Sequence, residues 1–171
     1  IDEYRQAKLN LIANQTADQF CVYNAEDEVI VNGLSRTKAT CVPFSLTSVV
    51  DGAYLSEGDV YFKDEKIIDI ESILLKGDHN LQDVLGAVAV SKLYGCDTEA
   101  IKRVLKRFVG VKHRLQYVDE VNGVKYYNNS KATNVIATQT ALKAFEDSII
   151  LLAGGLDRQH DLSGLLPYFS K

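Results

Sequence analysis

Apolar positions along the chain change period several times, and each change marks a predicted element. Near the start, Tyr4, Ala7, Leu11 and Ile12 recur at helical spacing, which predicts an amphipathic helix buried along that stripe. Lys8 falls on the same stripe rather than on the polar face. Gln19 to Tyr23 and Ala39 to Phe44 read as short apolar strands, separated by a charged helical turn at 25–28 and a loop near Gly33. Gly52 to Leu55 and Val60 to Phe62 flank Ser56-Glu57-Gly58-Asp59, a hairpin signal, and Lys66 to Ile70 adds a further short strand. From His79 to Tyr94 apolar residues fall on nearly every side, which predicts a buried helix. Asp97 then caps a helix with Ile101, Val104, Leu105 and Phe108 on one face and Lys102, Arg103, Lys106 and Arg107 on the other.

The pattern restarts after Gly110-Val111-Lys112-His113-Arg114, which is the best candidate domain junction and divides the chain into 1–112 and 113–171. Leu115 to Val118 and Val124 to Tyr127 flank Asn122-Gly123, the strongest short turn signal in the chain. A helix follows from Asn134, with Ile136, Ala137, Thr140, Ala141, Ala144 and Phe145 at helical spacing. Ser148 to Ala153 is a continuous apolar run, read as a fully buried strand, and another helix begins near Ser163. Strands alternating with helices first, and hairpins later, give an α/β fold with an antiparallel edge.

Composition narrows the function classes. With 171 residues, 46% hydrophobic and 25% charged, the chain is an ordinary globular protein. A formal net charge of −4 supplies no basic excess for general binding to a phosphate backbone, so no nucleic-acid partner is expected. No apolar run reaches the roughly 18 residues of a membrane span, so no membrane partner is expected either. Cys21, Cys41 and Cys96 read as free, small core residues of a reducing, cytoplasmic compartment. His79, His113 and His160 show no metal-ligand spacing. The chain opens directly in a helical pattern and stops just inside another, so it reads as part of a longer protein.

Candidate chemistry concentrates at Tyr126-Tyr127-Asn128-Asn129-Ser130-Lys131-Ala132-Thr133-Asn134, where a strand end turns into a helix start. Unpaired N–H groups and the positive end of the helix dipole favour an anion there, and the Lys131 ammonium adds to the same field. Ordinary helix capping explains the Ser, Thr and Asn equally well. Lys8 has two readings: a side chain whose stem packs while its head reaches water, or an amine held in a cleft. Polar residues also gather in the first turn Gly77 to Asp83, and Asp157 and Arg158 follow Gly154-Gly155 where a strand end would present them.

The runs Tyr4-Arg5-Gln6-Ala7-Lys8, Gly77-Asp78-His79-Asn80, Gly110 to Gln116, Asn129-Ser130-Lys131-Ala132-Thr133-Asn134 and Leu151 to Arg158 together resemble the Mur ligases of bacterial cell-wall synthesis, in their D-glutamate-adding branch. The resemblance runs from about Tyr4 to the end of the chain. It implies that 1–112 is the later part of a central ATP-binding ligase domain and 113–171 the start of a Rossmann-like C-terminal domain that binds glutamate. It implies an ATP-dependent amide ligation, in which the carboxylate of UDP-N-acetylmuramoyl-L-alanine becomes an acyl phosphate and the D-glutamate amine displaces phosphate. ATP is then the co-substrate and magnesium the cofactor, with Lys8 a metal-holding group only once carbamylated, since a hard cation takes oxygen ligands. By the same match Lys8, Arg114 and Lys131 are catalytic, and Asn80, Asp83, Arg114 and Asn129 face the nucleotide. Lys131, Thr133 and Arg158 lie on the D-glutamate side.

Several positions depart from the family pattern. Asn129 stands where Asp is usual, which removes a charge that would steer Arg114. Asp83 stands where Asn is usual, and an ionised Asp cannot donate to an adenine ring nitrogen. Gln159-His160 replaces an expected Gly-Asn. No Gly-x-x-x-x-Gly-Lys-Ser/Thr occurs, so the phosphate-cradling loop lies outside this chain, and the chain alone is expected to bind ATP weakly or not at all and not to turn over. Two other readings stand beside this one: a folylpolyglutamate synthase-like ligase, and a catalytically dead relative acting as a binding or structural module.

Overall fold

The computed structural model describes residues 2–156 and 161–169. The chain forms two compact units, one of residues 1–73 and 81–107 and one of 74–80 and 108–171.

The first unit is built on a five-stranded sheet in the order β1 (Phe20–Asn24), β2 (Thr40–Ser45), β3 (Ala53–Ser56), β4 (Asp59–Phe62), β5 (Glu65–Asp69). Strands β1, β2 and β3 run parallel, and β3, β4 and β5 form an antiparallel meander. The α/β reading with an antiparallel edge therefore holds. The β3–β4 hairpin forms because Glu57 and Gly58 both take positive φ, 51° and 80°, the primed turn whose twist matches the strands. Parallel β2 and β3 are joined by a short connection that is possible only at Gly52, where a Cβ would overlap the Pro43 carbonyl oxygen. Helices α1 (Asp2–Ala13), α2 (Glu28–Gly33) and α4 (Thr98–Leu105), with α3 (Asp78–Leu93) from Leu81 onward, complete this unit. Its core joins Val42, Val60, Ile67 and Ile68 of the sheet to Val84, Leu85, Val88 and Ala89 of α3 and Ile101 and Leu105 of α4. Asp97 caps α4 by accepting from the Ala100 amide. Glu65 links β5, α3 and α4: it accepts from Lys92 at 2.7 Å and from the Thr98 hydroxyl, and these partners hold its carboxyl below the usual range.

Three expectations for this unit are corrected. In α1 the buried residue is Leu9, which lies over Gly33 of α2, whereas Tyr4 and Leu11 are 67% and 77% exposed and Ala7 is exposed. The stripe was set by spacing alone, but one turn of α2 and the short 3₁₀ segment Leu34–Arg36 cover only the Leu9 side. Lys8 is thus on an exposed surface. The long helix α3 is buried on one side only, with Ala87 and Val90 exposed. Of the cysteines Cys21 is buried, whereas Cys41 and Cys96 are exposed.

The second unit carries the hairpin β6 (Gln116–Val121) and β7 (Val124–Asn128), closed at Asn122 and Gly123 with φ of 52° and 79°. Tyr127 of β7 meets Tyr117 and Phe145 edge-on, at centroid distances of 5.6 and 4.8 Å. Helix α5 (Val135–Lys143) starts at Asn134, whose side chain accepts from the Ala137 amide at 2.8 Å. A 3₁₀ segment, Ser163–Tyr168, lies against α5, where Gln139 donates to the Gly164 carbonyl at 2.6 Å. The predicted buried strand at 148–153 is not formed. Among the described residues of this unit the sheet has two strands that pair with each other, and Ile150 and Leu152 are 89% and 92% exposed. An apolar run becomes a strand only where neighbouring strands take its N–H and C=O groups.

Candidate functional site

In the second unit two loops are sewn together. The Lys131 amide donates to the His113 carbonyl at 2.9 Å, and the Leu115 amide donates to Asn129 Oδ1 at 3.0 Å. Asn128 Nδ2 lies 3.1 Å from His113 Nδ1, and Asn128 Oδ1 accepts from the Ser130 amide at 3.0 Å. Within the first loop the His113 amide donates to Gln116 Oε1 at 2.9 Å. His113 and Leu115, on either side of Arg114, have φ of 68° and 46°. Such a backbone costs a non-glycine residue free energy, of order 1–3 kcal/mol each in surveyed cases, and the loop-to-loop hydrogen bonds hold it in place.

These bonds fix the backbones of Arg114, Asn129 and Lys131 beside one another. Arg114 and Lys131 are exposed and Asn129 is half-buried. Two cations, followed by the N-terminus of α5 with its cap at Asn134, make a surface that favours an anion. Thr133, exposed, immediately precedes the cap. The side chain of Asn129 also bonds the backbone: its carbonyl oxygen takes the Leu115 amide next to Arg114, an acceptor role that Asn and Asp fill equally.

Asn80 belongs to the same unit and is 9% exposed. Its side chain donates to the Lys76 carbonyl at 2.6 Å, and its amide donates to the Gly77 carbonyl at 3.0 Å. Gly77 has φ of 89°, and a Cβ there would meet the Ala144 Cβ and the His79 ring, each at 3.0 Å, so the tight entry to α3 requires glycine.

In the first unit Lys8 places its ammonium 5.4 Å from the centroid of the Tyr4 ring, a cation–π contact on an exposed helix face. Asp83 is exposed on α3. Among the described residues no three His, Cys, Asp or Glu side chains converge as metal ligands. A bare Lys8 ammonium does not fit magnesium, because it offers no oxygen; only its carbamate would. Asp157 and Arg158 lie outside the described residues. A concavity between β5 and α4 is lined by Lys66, Asp69, Glu99, Lys102 and Lys106, but Lys66 is paired with Asp59 at 2.5 Å and Lys102 with Glu99 at 2.7 Å.

A further residue escaped the sequence reading. Glu26, in the loop after β1, accepts through Oε1 from Ser45 Oγ (2.8 Å), the Leu46 amide (2.7 Å), the Thr47 amide (3.0 Å) and Thr47 Oγ1 (3.1 Å). Its Oε2 accepts from Gln82 Nε2 at 3.2 Å. Partial burial pushes the Glu26 carboxyl up, but the bonds from Ser45, Leu46 and Thr47 outweigh it and hold the group below the ordinary glutamate value. One carboxylate therefore ties together the C-terminal ends of β1 and β2 and the first turn of α3 at Gln82, beside Asp83. The only local hint was an acidic residue in a polar turn; its partners are 19–56 residues away.

Comparison with known proteins bears on both units. Residues 1–91, more than half of the 171, match the Mur ligase middle domain. The chain is 51% identical over 169 residues to UDP-N-acetylmuramoylalanine–D-glutamate ligase of Geobacillus sp. (strain WCH70), and 48% identical over 170 residues to the protein of that name from Bacillus cytotoxicus. It covers 98% and 99% of its own length in these matches and 38% of either relative, so it spans well under half the length of the relatives it matches. In structure it is similar to MurF from Acinetobacter baumannii, with a TM-score of 0.65 at 16% identity over 84% of this chain and 32% of that one. A UDP-N-acetylmuramoylalanyl-D-glutamyl-2,6-diaminopimelate–D-alanyl-D-alanyl ligase from the same organism gives 0.66 at 16% identity, over 84% and 33%. At that identity the likeness speaks for the fold, and the match over 1–91 speaks for descent: the chain belongs to the Mur ligase family.

Proposed function

We propose that this chain is part of an ATP-dependent ligase that joins D-glutamate to UDP-N-acetylmuramoyl-L-alanine in the cytoplasm. Residues 1–112 are the later part of its central ATP-binding domain, and 113–171 begin its glutamate-binding domain. The reading is supported by the identity of about half to relatives named for that reaction. The observation that carries it for the site is the pair of bonds from Lys131 to His113 and from Leu115 to Asn129, which hold Arg114 and Lys131 side by side ahead of a capped helix.

The reaction activates the muramoyl-alanine carboxylate by phosphoryl transfer from ATP, and the D-glutamate amine then displaces phosphate from the acyl phosphate. Such chemistry needs positioning and charge neutralisation more than covalent help from the protein. Arg114 neutralises phosphate oxygens, and Asn129 keeps its loop in place. Lys131 and Thr133 receive the anionic side of D-glutamate, with Arg158. Asn80 and Asp83 face the adenine. A carbamylated Lys8 would help hold magnesium, which when bound would supply positive charge to offset that of the phosphates. Nucleic acid and membrane are not partners in this reading.

The test is phosphate release by a full-length protein that carries this chain, supplied with ATP, magnesium and UDP-N-acetylmuramoyl-L-alanine. Release that depends on D-glutamate and is absent with L-glutamate is the expected result. Release independent of the amino acid, or preference for another one, overturns the proposal.

A further inference from the structure

Cys21 and Cys41 are direct partners in the parallel pairing of β1 and β2, between the pairs Phe20–Thr40 and Val22–Val42. Registered residues of neighbouring parallel strands project from the same face of the sheet. Neighbouring strands lie about 4.8 Å apart, inside the roughly 4.4–6.8 Å of Cα separation that a disulfide spans. The two thiols differ in access: Cys21 is 4% exposed, whereas Cys41 is exposed. Burial first, and then the charge of the nearby Cys41 and a hydrogen bond shared with it, push the Cys21 thiol up. The Cys41 thiol itself donates to the Ala39 carbonyl at 3.6 Å.

We propose that Cys21 and Cys41 form a cross-strand dithiol that peroxide oxidises to a disulfide, with Cys41 as the accessible, peroxide-reactive thiol and Cys21 as the resolving one. The Cys41 thiolate attacks one peroxide oxygen, the O–O bond breaks, and a sulfenic acid and water result. The Cys21 thiolate then attacks the Cys41 sulfur, the S–O bond breaks, and a second water leaves as the S–S bond forms. Two thiols are oxidised and one peroxide is reduced to two waters. The raised Cys21 thiol keeps its thiolate fraction low, so the rate of the second step rises with pH. The disulfide joins the two strands whose C-terminal ends carry Glu26 and its partners Ser45 to Thr47.

The experiment treats the native chain with hydrogen peroxide, quenches, unfolds, alkylates remaining thiols and maps tryptic peptides. The expected result is loss of two hydrogen masses, with peptides Leu9–Arg36 and Ala39–Lys63 linked, Cys96 alkylated, and dithiothreitol reversing the link. In Cys21→Ser, Cys41 stops at a sulfenic acid that dimedone traps, and in Cys41→Ser, which alters only an exposed side chain, no link forms. Oxygen gain on Cys41 with Cys21 still alkylated, a link through Cys96, or an unchanged pair under peroxide that oxidises Cys96 overturns the proposal.

Discussion

Replacing Glu26 by Gln tests whether one carboxylate organises the strand ends of the first unit. The substitution keeps the shape and one acceptor oxygen but removes the charge. Four hydrogen bonds to Oε1, from Ser45, Leu46 and Thr47, fall from charge-assisted to neutral, and the group facing Gln82 becomes an amide. Charge-assisted bonds contribute about 1.5–3 kcal/mol and neutral ones about 0.5–1.5 kcal/mol, but these four share one oxygen at a water-accessible site. The discounted loss is about 1–2 kcal/mol. Urea unfolding of the chain at neutral pH reads it as a lower midpoint with unchanged slope. The sign in pH follows from the depressed carboxyl: the wild-type advantage is fully present above the ordinary glutamate value of 4.5 and is lost as pH falls below it through the folded value. The Gln variant therefore converges on wild type in acid. Equal midpoints at neutral pH, or an advantage that stays undiminished to about pH 2, would refute the reasoning.

Gly52→Ala places a Cβ against the Pro43 carbonyl, an immovable backbone atom, and should destabilise the chain by about 2–3 kcal/mol in thermal or urea unfolding. Asn129→Asp keeps an acceptor for the Leu115 amide, so the fold should change by less than about 0.5 kcal/mol. In the full-length protein the added charge beside Arg114 should raise ATP-dependent kcat/KM roughly fivefold, or about 1 kcal/mol; equal activity would mean that the backbone clamp is all that position 129 supplies. Ile150→Ser, at an 89% exposed position, should leave the unfolding midpoint of this chain within about 0.5 kcal/mol.

What the sequence made legible was local chemistry. Glu57-Gly58 and Asn122-Gly123 announce hairpins because few residues accept positive φ, and Asp97 and Asn134 announce helix starts because their side chains reach amides three residues on. What failed was whatever depended on a distant partner. Tyr4 and Leu11 have the spacing of a buried face, yet among the described residues of α1 it is Leu9 that is fully covered. Ser148 to Ala153 has the composition of a central strand, but among the described residues no neighbour pairs with it. Glu26 looked like one more acid in a turn because its donors arrive from β2 and α3. The bond from the Leu115 amide to Asn129 was equally invisible, because its donor sits in a loop 14 residues earlier.

The most direct measurement follows oxygen. A full-length protein carrying this chain is given UDP-N-acetylmuramoyl-L-alanine with an ¹⁸O-labelled carboxylate, ATP, magnesium and D-glutamate. If the carboxylate is activated as an acyl phosphate, each inorganic phosphate released carries one ¹⁸O, and Lys131→Ala lowers that flux without changing the label. Unlabelled phosphate, or labelled phosphate formed without any amide product, would contradict assignment of the chain to this ligation.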